Sequence, residues 1–176
     1  MVMKRILITV DGVLCDFVTA VSTMMMRTSG LVYEEAVSQV LFHPEALPTV
    51  VSDWHFWKYV PPRLDAVRWF PLLAGSCLTT LTTSYNVPLP IVRRWLDRYG
   101  FAYRSIEPDP QGDFSLRVDH HPVSATRWQG SPVILVAYPY NADVQVRRFR
   151  SFRDVVDYCL DREVPAPEDT TNKGVT

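Results

Sequence analysis

Two aspartates stand where a short apolar run gives way to polar residues, a position that suits them for chemistry. Asp11 follows the run at residues 5–10 (RILITV), and Asp119 follows residues 114–118 (FSLRV). A carboxylate in such a place can act as an acid or a base, or it can bind a hard divalent cation. Asp11 could instead cap its own turn, because an aspartate before a glycine often forms an Asx-turn. The pattern leaves both roles open for Asp11.

His120 and His121 directly follow Asp119 and extend this group of ionisable side chains. Imidazoles beside a carboxylate could bind a soft divalent metal. Adjacent histidines point in different directions, however, and so few neighbouring ligands seldom complete a site. We therefore expect both histidines to lie on the surface.

The elements that must position these residues alternate between strands and helices. Strands are predicted at residues 5–10, 76–82, 114–118 and 132–137, and helices at residues 16–27, 33–42, 63–73, 90–99 and 151–160. This alternation predicts an α/β fold with a parallel sheet, on which ligands gather at the carboxyl ends of the strands. The candidate functional positions are then those that follow strands: Asp11 and residues 82–86, 119–121 and 138–141.

Length and composition are those of one globular domain. The chain has 176 residues, of which 47% are hydrophobic, and we predict a single domain over residues 1–162 with a disordered tail over residues 163–176. The net charge of -1 gives no electrostatic reason to expect a nucleic acid or a membrane as partner. Three cysteines without metal-ligand spacing favour a reducing, cytoplasmic location, and no apolar stretch approaches the length of a membrane span.

Residues 16–75 form an insertion between the first two predicted strands. Within it, residues 43–62 carry four prolines and the aromatic cluster at residues 54–59 (WHFWKY). Such a cluster could cover a base in a nucleotide pocket, although aromatic side chains in a small subdomain more often form its core. We predict irregular or short-helical structure here, with the aromatic side chains in the core.

Six motifs follow one another in a recognisable order. They are ITVDGVLCDF (8–17), LTTS (81–84), RRWL (93–96), VDHHP (118–122), WQGSPVIL (128–135) and YPYN (138–141). This series resembles the haloacid dehalogenase (HAD) superfamily, and especially its 5'(3')-deoxyribonucleotidase-like branch, over residues 5–157. The resemblance implies a HAD-like, doubly wound parallel sheet in a Rossmann-like three-layer sandwich, with residues 16–75 as a small helical cap.

The resemblance also implies the parts of a phosphatase site. The family's aspartate nucleophile falls at Thr9, its acid/base at Asp11, and the first acid of its magnesium-binding motif at Asp119. Its phosphate-binding segment falls at Thr82, Thr83 and Ser84. In such a site a carboxylate attacks phosphorus, and cations neutralise the phosphoryl charge.

Three of these parts are changed in this chain. Thr9 carries no carboxylate and cannot form an aspartyl-phosphate, although it is also an ordinary strand residue. His120 replaces the second acid of the magnesium-binding motif, so Mg²⁺ binding should be weakened. The lysine that contacts phosphate in the family has no counterpart between Lys58 and Lys173. Four arginines could replace it electrostatically: Arg93, Arg94, Arg104 and Arg117.

These changes support three hypotheses from different classes. The leading one is a catalytically degenerate, nucleotidase-like protein that binds a small phosphorylated ligand or a protein partner. The alternative is an active metal-dependent phosphohydrolase of (deoxy)nucleoside monophosphates or other small phosphomonoesters, in which Asp11, Asp119 and a metal-activated water replace the covalent route. The third is a subunit of a larger assembly, which exposed apolar patches on the cap would indicate.

Overall fold

A six-stranded sheet forms the centre of the protein, seen in a computed structural model that describes residues 3–43, 45, 47, 49–85, 87–108 and 110–162. The strands are β1 (Arg5–Thr9), β2 (Leu78–Thr82), β3 (Ser105–Ile106), β4 (Leu116–Asp119), β5 (Val133–Val136) and β6 (Arg148–Phe149). They lie in the order β3-β2-β1-β4-β5-β6, and all five pairings are parallel. This sheet confirms the predicted parallel α/β architecture.

The central position of β1 explains its sequence. Ile6, Leu7 and Ile8 are all fully buried, because neighbouring strands lie on both sides and helices cover the sheet. A strand buried on both faces is a continuous apolar run rather than an alternating one. In contrast, β3 and β6 have two residues each and were not predicted, since so short a pairing leaves no periodic pattern.

Seven α-helices occur in the described residues. They are α1 (Phe17–Ser29), α2 (Tyr33–Phe42), α3 (Trp54–Trp57), α4 (Leu64–Ser76), α5 (Leu89–Arg98), α6 (Pro122–Arg127) and α7 (Phe152–Cys159). The helix predicted to end at residue 73 continues through Gly75, because the Cys77 N–H still donates to the Leu73 carbonyl at 2.8 Å. The strand predicted from residue 76 accordingly begins at Leu78. No helix was predicted at α6.

The insertion leaves and rejoins the sheet domain at one narrow place, which we call the neck. Cys15 and Pro62 form an antiparallel bridge there. The Asp16 N–H donates to the Pro61 carbonyl at 3.1 Å, and the Arg63 N–H donates to the Leu14 carbonyl at 2.9 Å. Residues 64–75, which the prediction assigned to the insertion, lie beyond the neck in α4, and α4 packs against α7. The division at residue 75 stays a prediction.

Two tryptophans connect the insertion with α5. Trp57 is fully buried and donates from Nε1 to the Val51 carbonyl at 2.7 Å, while Trp95 donates to the Val60 carbonyl at 3.0 Å. Their rings meet edge to face at 6.1 Å. The prediction of an aromatic core is therefore right for Trp57 but wrong for Tyr59, whose side chain is 76% exposed.

Three further predictions concern the cysteines, a membrane-spanning helix and the C-terminal tail. All three cysteines are buried and form no disulfide. None of the helices in the described ranges is both long and apolar enough to cross a membrane. The tail predicted over residues 163–176 and Asn86 of the predicted polar loop lie outside the described residues.

Candidate functional site

The carboxyl ends of β1 and β2 lie side by side. Thr9 ends β1 and Thr82 ends β2, and the two residues are partners in the parallel register. Both are buried, and the Thr9 hydroxyl has no hydrogen-bond partner among the described residues. The Thr83 hydroxyl donates to the Tyr85 carbonyl at 3.0 Å, as expected of a residue that forms a turn. The sequence positions predicted to form a site are therefore brought together.

Asp11 connects the first two strand ends through its carboxylate. The side chain is fully buried, and both of its oxygens accept the Ser84 N–H, at 3.1 and 2.8 Å. In the hydrogen bonds described, the carboxylate thus pairs with the loop after β2 and not with the turn that follows β1. The acid/base position implied by the resemblance lies between the two loops.

Asp119 ends β4 and is fully buried, yet its carboxylate is surrounded by donors. Oδ1 accepts the N–H groups of His120 and His121, at 2.7 and 3.0 Å. Oδ2 accepts Nε and Nη2 of Arg117, at 2.9 and 2.6 Å. Burial acts to raise the pKa of Asp119, but the charges of His120 and Arg117 and the His121 N–H outweigh it and hold the pKa below its ordinary value.

Arg117 is one of the four arginines predicted as possible replacements for the family's lysine. Its spacing of two residues from Asp119 separates it from the other three. Residues i and i+2 of a strand lie on the same face, so their side chains can pair directly. Arg94 has a different partner, the Trp54 ring, with its guanidinium carbon 4.1 Å from the ring centroid.

His120 is fully buried, so the prediction of a surface histidine is wrong. Its ring lies over Gly12, where an added Cβ would come within 2.2 Å of the His120 Cγ. The missing side chain at Gly12 therefore makes the space that the imidazole occupies. Nδ1 lies 3.0 Å from the Tyr140 hydroxyl, and Nε2 lies 3.9 Å from the Asp11 carboxylate. We call Thr9, Asp11, Asp119 and His120 together the strand-end cluster.

His121 is half-buried and also differs from the surface residue that we predicted. Nε2 donates to the Leu41 carbonyl at 2.7 Å, and Nδ1 accepts the Val123 N–H at 3.1 Å. These two bonds require a neutral ring with its proton on Nε2, and they connect the end of α2 with the start of α6. Burial lowers the pKa of His121, which agrees with a neutral ring.

The loop after β5, which was predicted to contribute to the site, closes the cluster from another side. Tyr138 and Tyr140 stack on each other with centroids 4.9 Å apart, and both rings lie edge-on to His120. The Asn141 amide donates to the carbonyls of His120 and Val136, both at 2.8 Å. The prediction that residues 138–141 belong to the strand ends is thus matched by their contacts.

Four buried polar atoms at these strand ends make no hydrogen bond within the part of the chain that the structure describes. They are Thr9 Oγ1, Ser84 Oγ, Tyr85 Oη and His120 Nε2. Burial, together with the Asp11 charge, raises the pKa of Tyr85, so this hydroxyl stays protonated. The strand ends therefore hold unused donors and acceptors away from solvent.

An open groove lies beside the closed cluster, and we call it the strand-end groove. Its volume is about 300 Å³, and it is lined by Ser84, Arg117, His121, Val123, Ser124, Arg127 and Trp128. The Arg117 guanidinium lies 4.6 Å from the centroid of the Trp128 ring, which holds it in place. Arg127 is exposed, so its charge faces solvent. The groove offers cationic groups and hydroxyls to a ligand.

The strand-end cluster has few free oxygen ligands for the magnesium ion that the resemblance implies. Mg²⁺ prefers oxygen ligands in octahedral geometry. Both oxygens of Asp119 already accept two N–H bonds each, Thr9 supplies only a hydroxyl, and His120 supplies a nitrogen. Among the described residues, no group of three or more His, Cys, Asp or Glu side chains is placed to hold a metal. The residues therefore do not fit a carboxylate-built magnesium site.

Comparison with known proteins gives matches in structure but none in sequence. No family model and no curated protein matches the chain. A HAD-superfamily hydrolase of subfamily IA from Geobacter sulfurreducens superposes with a TM-score of 0.59 at 13% identity, over 89% of this chain and 96% of that one.

Two dehalogenases match less closely, each with a TM-score of 0.50 at 10% identity. The L-2-haloacid dehalogenase from Xanthobacter autotrophicus is matched over 80% of both chains. The 2-haloacid dehalogenase from Pseudomonas syringae is matched over 91% of this chain and 99% of that one. Likeness at such low identity concerns the architecture alone. On that ground, the chain has the fold of the haloacid dehalogenase superfamily hydrolases.

Proposed function

We propose that this protein is a catalytically degenerate, nucleotidase-like member of the HAD fold that binds a small phosphorylated ligand in the strand-end groove. The proposal rests on the hydrogen bonds that the Asp119 carboxylate accepts. Its carboxylate is saturated by Arg117 and two backbone N–H groups, whereas a metal-binding carboxylate needs free oxygens.

The nucleophile position supports the same conclusion. Thr9 has a neutral, buried hydroxyl, and a threonine in this place would need an adjacent base to attack phosphorus. The imidazole of His120 also occupies the space over Gly12, next to Asp11. We infer that covalent phosphoryl transfer does not occur at this cluster.

The groove supplies the reason to expect an anionic ligand. Arg117 and Arg127 bring two guanidinium groups to a cavity that also contains the hydroxyl-bearing Ser84 and Ser124. Arginine suits phosphate because its planar fork matches two phosphate oxygens. Nε and Nη2 of Arg117 are bound to Asp119. The exposed Arg127, which makes no ion pair within the described residues, is therefore the group available to a ligand.

Binding can be measured by titration calorimetry with thymidine 5'-monophosphate and with inorganic phosphate. We expect Arg127→Gln to weaken binding about tenfold, because it removes a charge-assisted hydrogen bond. Arg27→Gln, which removes an exposed arginine at the end of α1, is the matched control and should bind normally. If neither anion binds, the phosphate-binding role is wrong and a role in binding a protein partner takes its place.

The active phosphohydrolase is a second candidate, favoured by one contact. His120 Nε2 lies 3.9 Å from the Asp11 carboxylate, and the two together could move a proton. Release of phosphate from thymidine 5'-monophosphate in the presence of Mg²⁺, Mn²⁺ or Zn²⁺ would support it, provided that Asp11→Asn abolishes the activity. We expect no release of phosphate.

The three reduced cysteines accord with action in the cytoplasm.

A further inference from the structure

A second cavity lies on the insertion, away from the strand-end groove, and we call it the cap cleft. Asp16 together with Thr19 and Ala20 of α1 forms one wall, and Phe56, Tyr59 and Pro61 also line the cleft. Its volume is about 550 Å³, which falls in the range of about 300–1,000 Å³ typical of small-molecule pockets. The cleft is large enough for a ring with a short side chain.

The far wall of the cleft is aromatic and held in place. Phe56 packs edge-on against the buried Phe17, with ring centroids 6.2 Å apart. Tyr59 is 76% exposed and lines the cleft, so its ring is accessible to a ligand there. The Lys58 ammonium lies 4.8 Å from the centroid of the Tyr59 ring, so this ring already attracts a cation.

The near wall carries one carboxylate, that of Asp16, and it has an unused oxygen. Asp16 precedes the first residue of α1, yet its side chain makes no capping hydrogen bond. Oδ1 is buried and has no partner within the described part of the chain. The Asp16 N–H donates to the Pro61 carbonyl at the neck, which fixes the residue at the edge of the cleft. A buried carboxylate oxygen without a donor is unfavourable unless a ligand supplies one.

We propose that the cap cleft binds a small aromatic molecule that carries a protonated primary amine. The ammonium group pairs with the Asp16 carboxylate at the edge of the cleft, and the ring lies against Phe56 and Tyr59. The ammonium neutralises the Asp16 charge, and the aromatic wall contributes apolar contact with the ring. The Asp16 charge disfavours an anionic ligand at this end of the cleft. This site is separate from the phosphate-binding role proposed above and does not depend on it.

Three probes of nearly equal shape test the proposal by titration calorimetry at pH 7. They are 2-phenylethylamine, which is protonated, 2-phenylethanol, which is neutral, and 3-phenylpropionate, which is negative. We expect the amine to bind roughly tenfold more tightly than the alcohol, as a charge-assisted hydrogen bond allows. The propionate should show no binding. Equal affinity for amine and alcohol, or binding of none of the three, would overturn the proposal.

Variants identify the group that recognises the amine. Asp16→Asn should lower the affinity for 2-phenylethylamine to that of the alcohol and leave the alcohol unchanged. Ala20→Trp should fill the cleft and abolish binding of both. Glu34→Gln, an exposed carboxylate on α2, is the control and should change neither affinity. If the amine still binds Asp16→Asn at full strength while thermal unfolding shows a folded protein, the assignment to Asp16 is wrong.

Discussion

Asp119 in the strand-end cluster and Asp16 in the cap cleft are two aspartates with opposite surroundings. Asp119 is fully buried and accepts four N–H bonds, whereas Asp16 keeps a buried oxygen that accepts none from the described residues. A carboxylate at a position where the HAD family resemblance implies a metal ligand thus stabilises the fold, and a carboxylate on the insertion stays free for a ligand. One carboxylate is therefore bound within the fold, and the other is available to a ligand.

The most severe test of this difference removes the cation beside Asp119. Arg117→Met should destabilise the protein by about 3–5 kcal/mol, because it leaves a buried carboxylate without its charged partner. Urea unfolding followed by tryptophan fluorescence measures the change. The double variant Arg117→Met/Asp119→Asn should recover much of the loss. A single variant as stable as the wild type would mean that the pair contributes nothing to the fold.

A smaller effect is expected when the space of His120 is filled. Gly12→Ala should cost about 2–4 kcal/mol, because Gly12 has a positive φ of 81° and its new Cβ would collide with the imidazole. Gly100→Ala is the matched control: its φ is 72°, but nothing lies within 4 Å of an added Cβ. The control should cost only about 1 kcal/mol by chemical unfolding. Equal losses would show that the His120 ring moves aside freely.

Acid should loosen the link between α2 and α6 through His121. Because burial lowers the pKa of this side chain, the unfolded chain binds a proton near pH 6.5 while the folded chain does not. Stability is therefore complete above about pH 6.5 and decreases as the pH falls toward the lower folded pKa.

Unfolding free energies of the wild type and of His121→Asn, measured between pH 7.5 and 5, check this expectation. Asparagine does not titrate, and its oxygen can still accept the Val123 N–H that His121 accepts. The variant should therefore have a flatter pH profile. Identical profiles would assign the acid sensitivity to another group.

The smallest effect is expected at Asp16. Asp16→Asn should change stability by no more than about 0.5 kcal/mol, because no hydrogen bond of the unpartnered oxygen is lost. Asp119→Asn, the corresponding change in the cluster, should cost clearly more, since Arg117 loses its partner. Thermal unfolding of the two variants side by side measures the contrast. A large loss for Asp16→Asn would mean that this carboxylate also stabilises the fold.

Sequence patterns predicted the sheet better than the site. Central strands such as β1 are visible as apolar runs, because burial on both faces fixes their composition. The burial of His120 was not predictable in this way, since it depends on the missing side chain of Gly12, far away along the chain. The ion pair between Arg117 and Asp119 lay within reach, because strand alternation places these residues on one face. Contacts between distant loops leave no such local pattern.

The neck at Cys15 and Pro62 has a consequence for how the protein can change over evolution. The insertion is a closed loop whose two ends meet at a single bridge. Lengthening such a loop costs little, since each doubling adds only about 0.6 kcal/mol of closure entropy. Residues can therefore be added to the insertion at little entropic cost while β1 and α4 keep their places, so that new ligand preferences can arise without rebuilding the sheet.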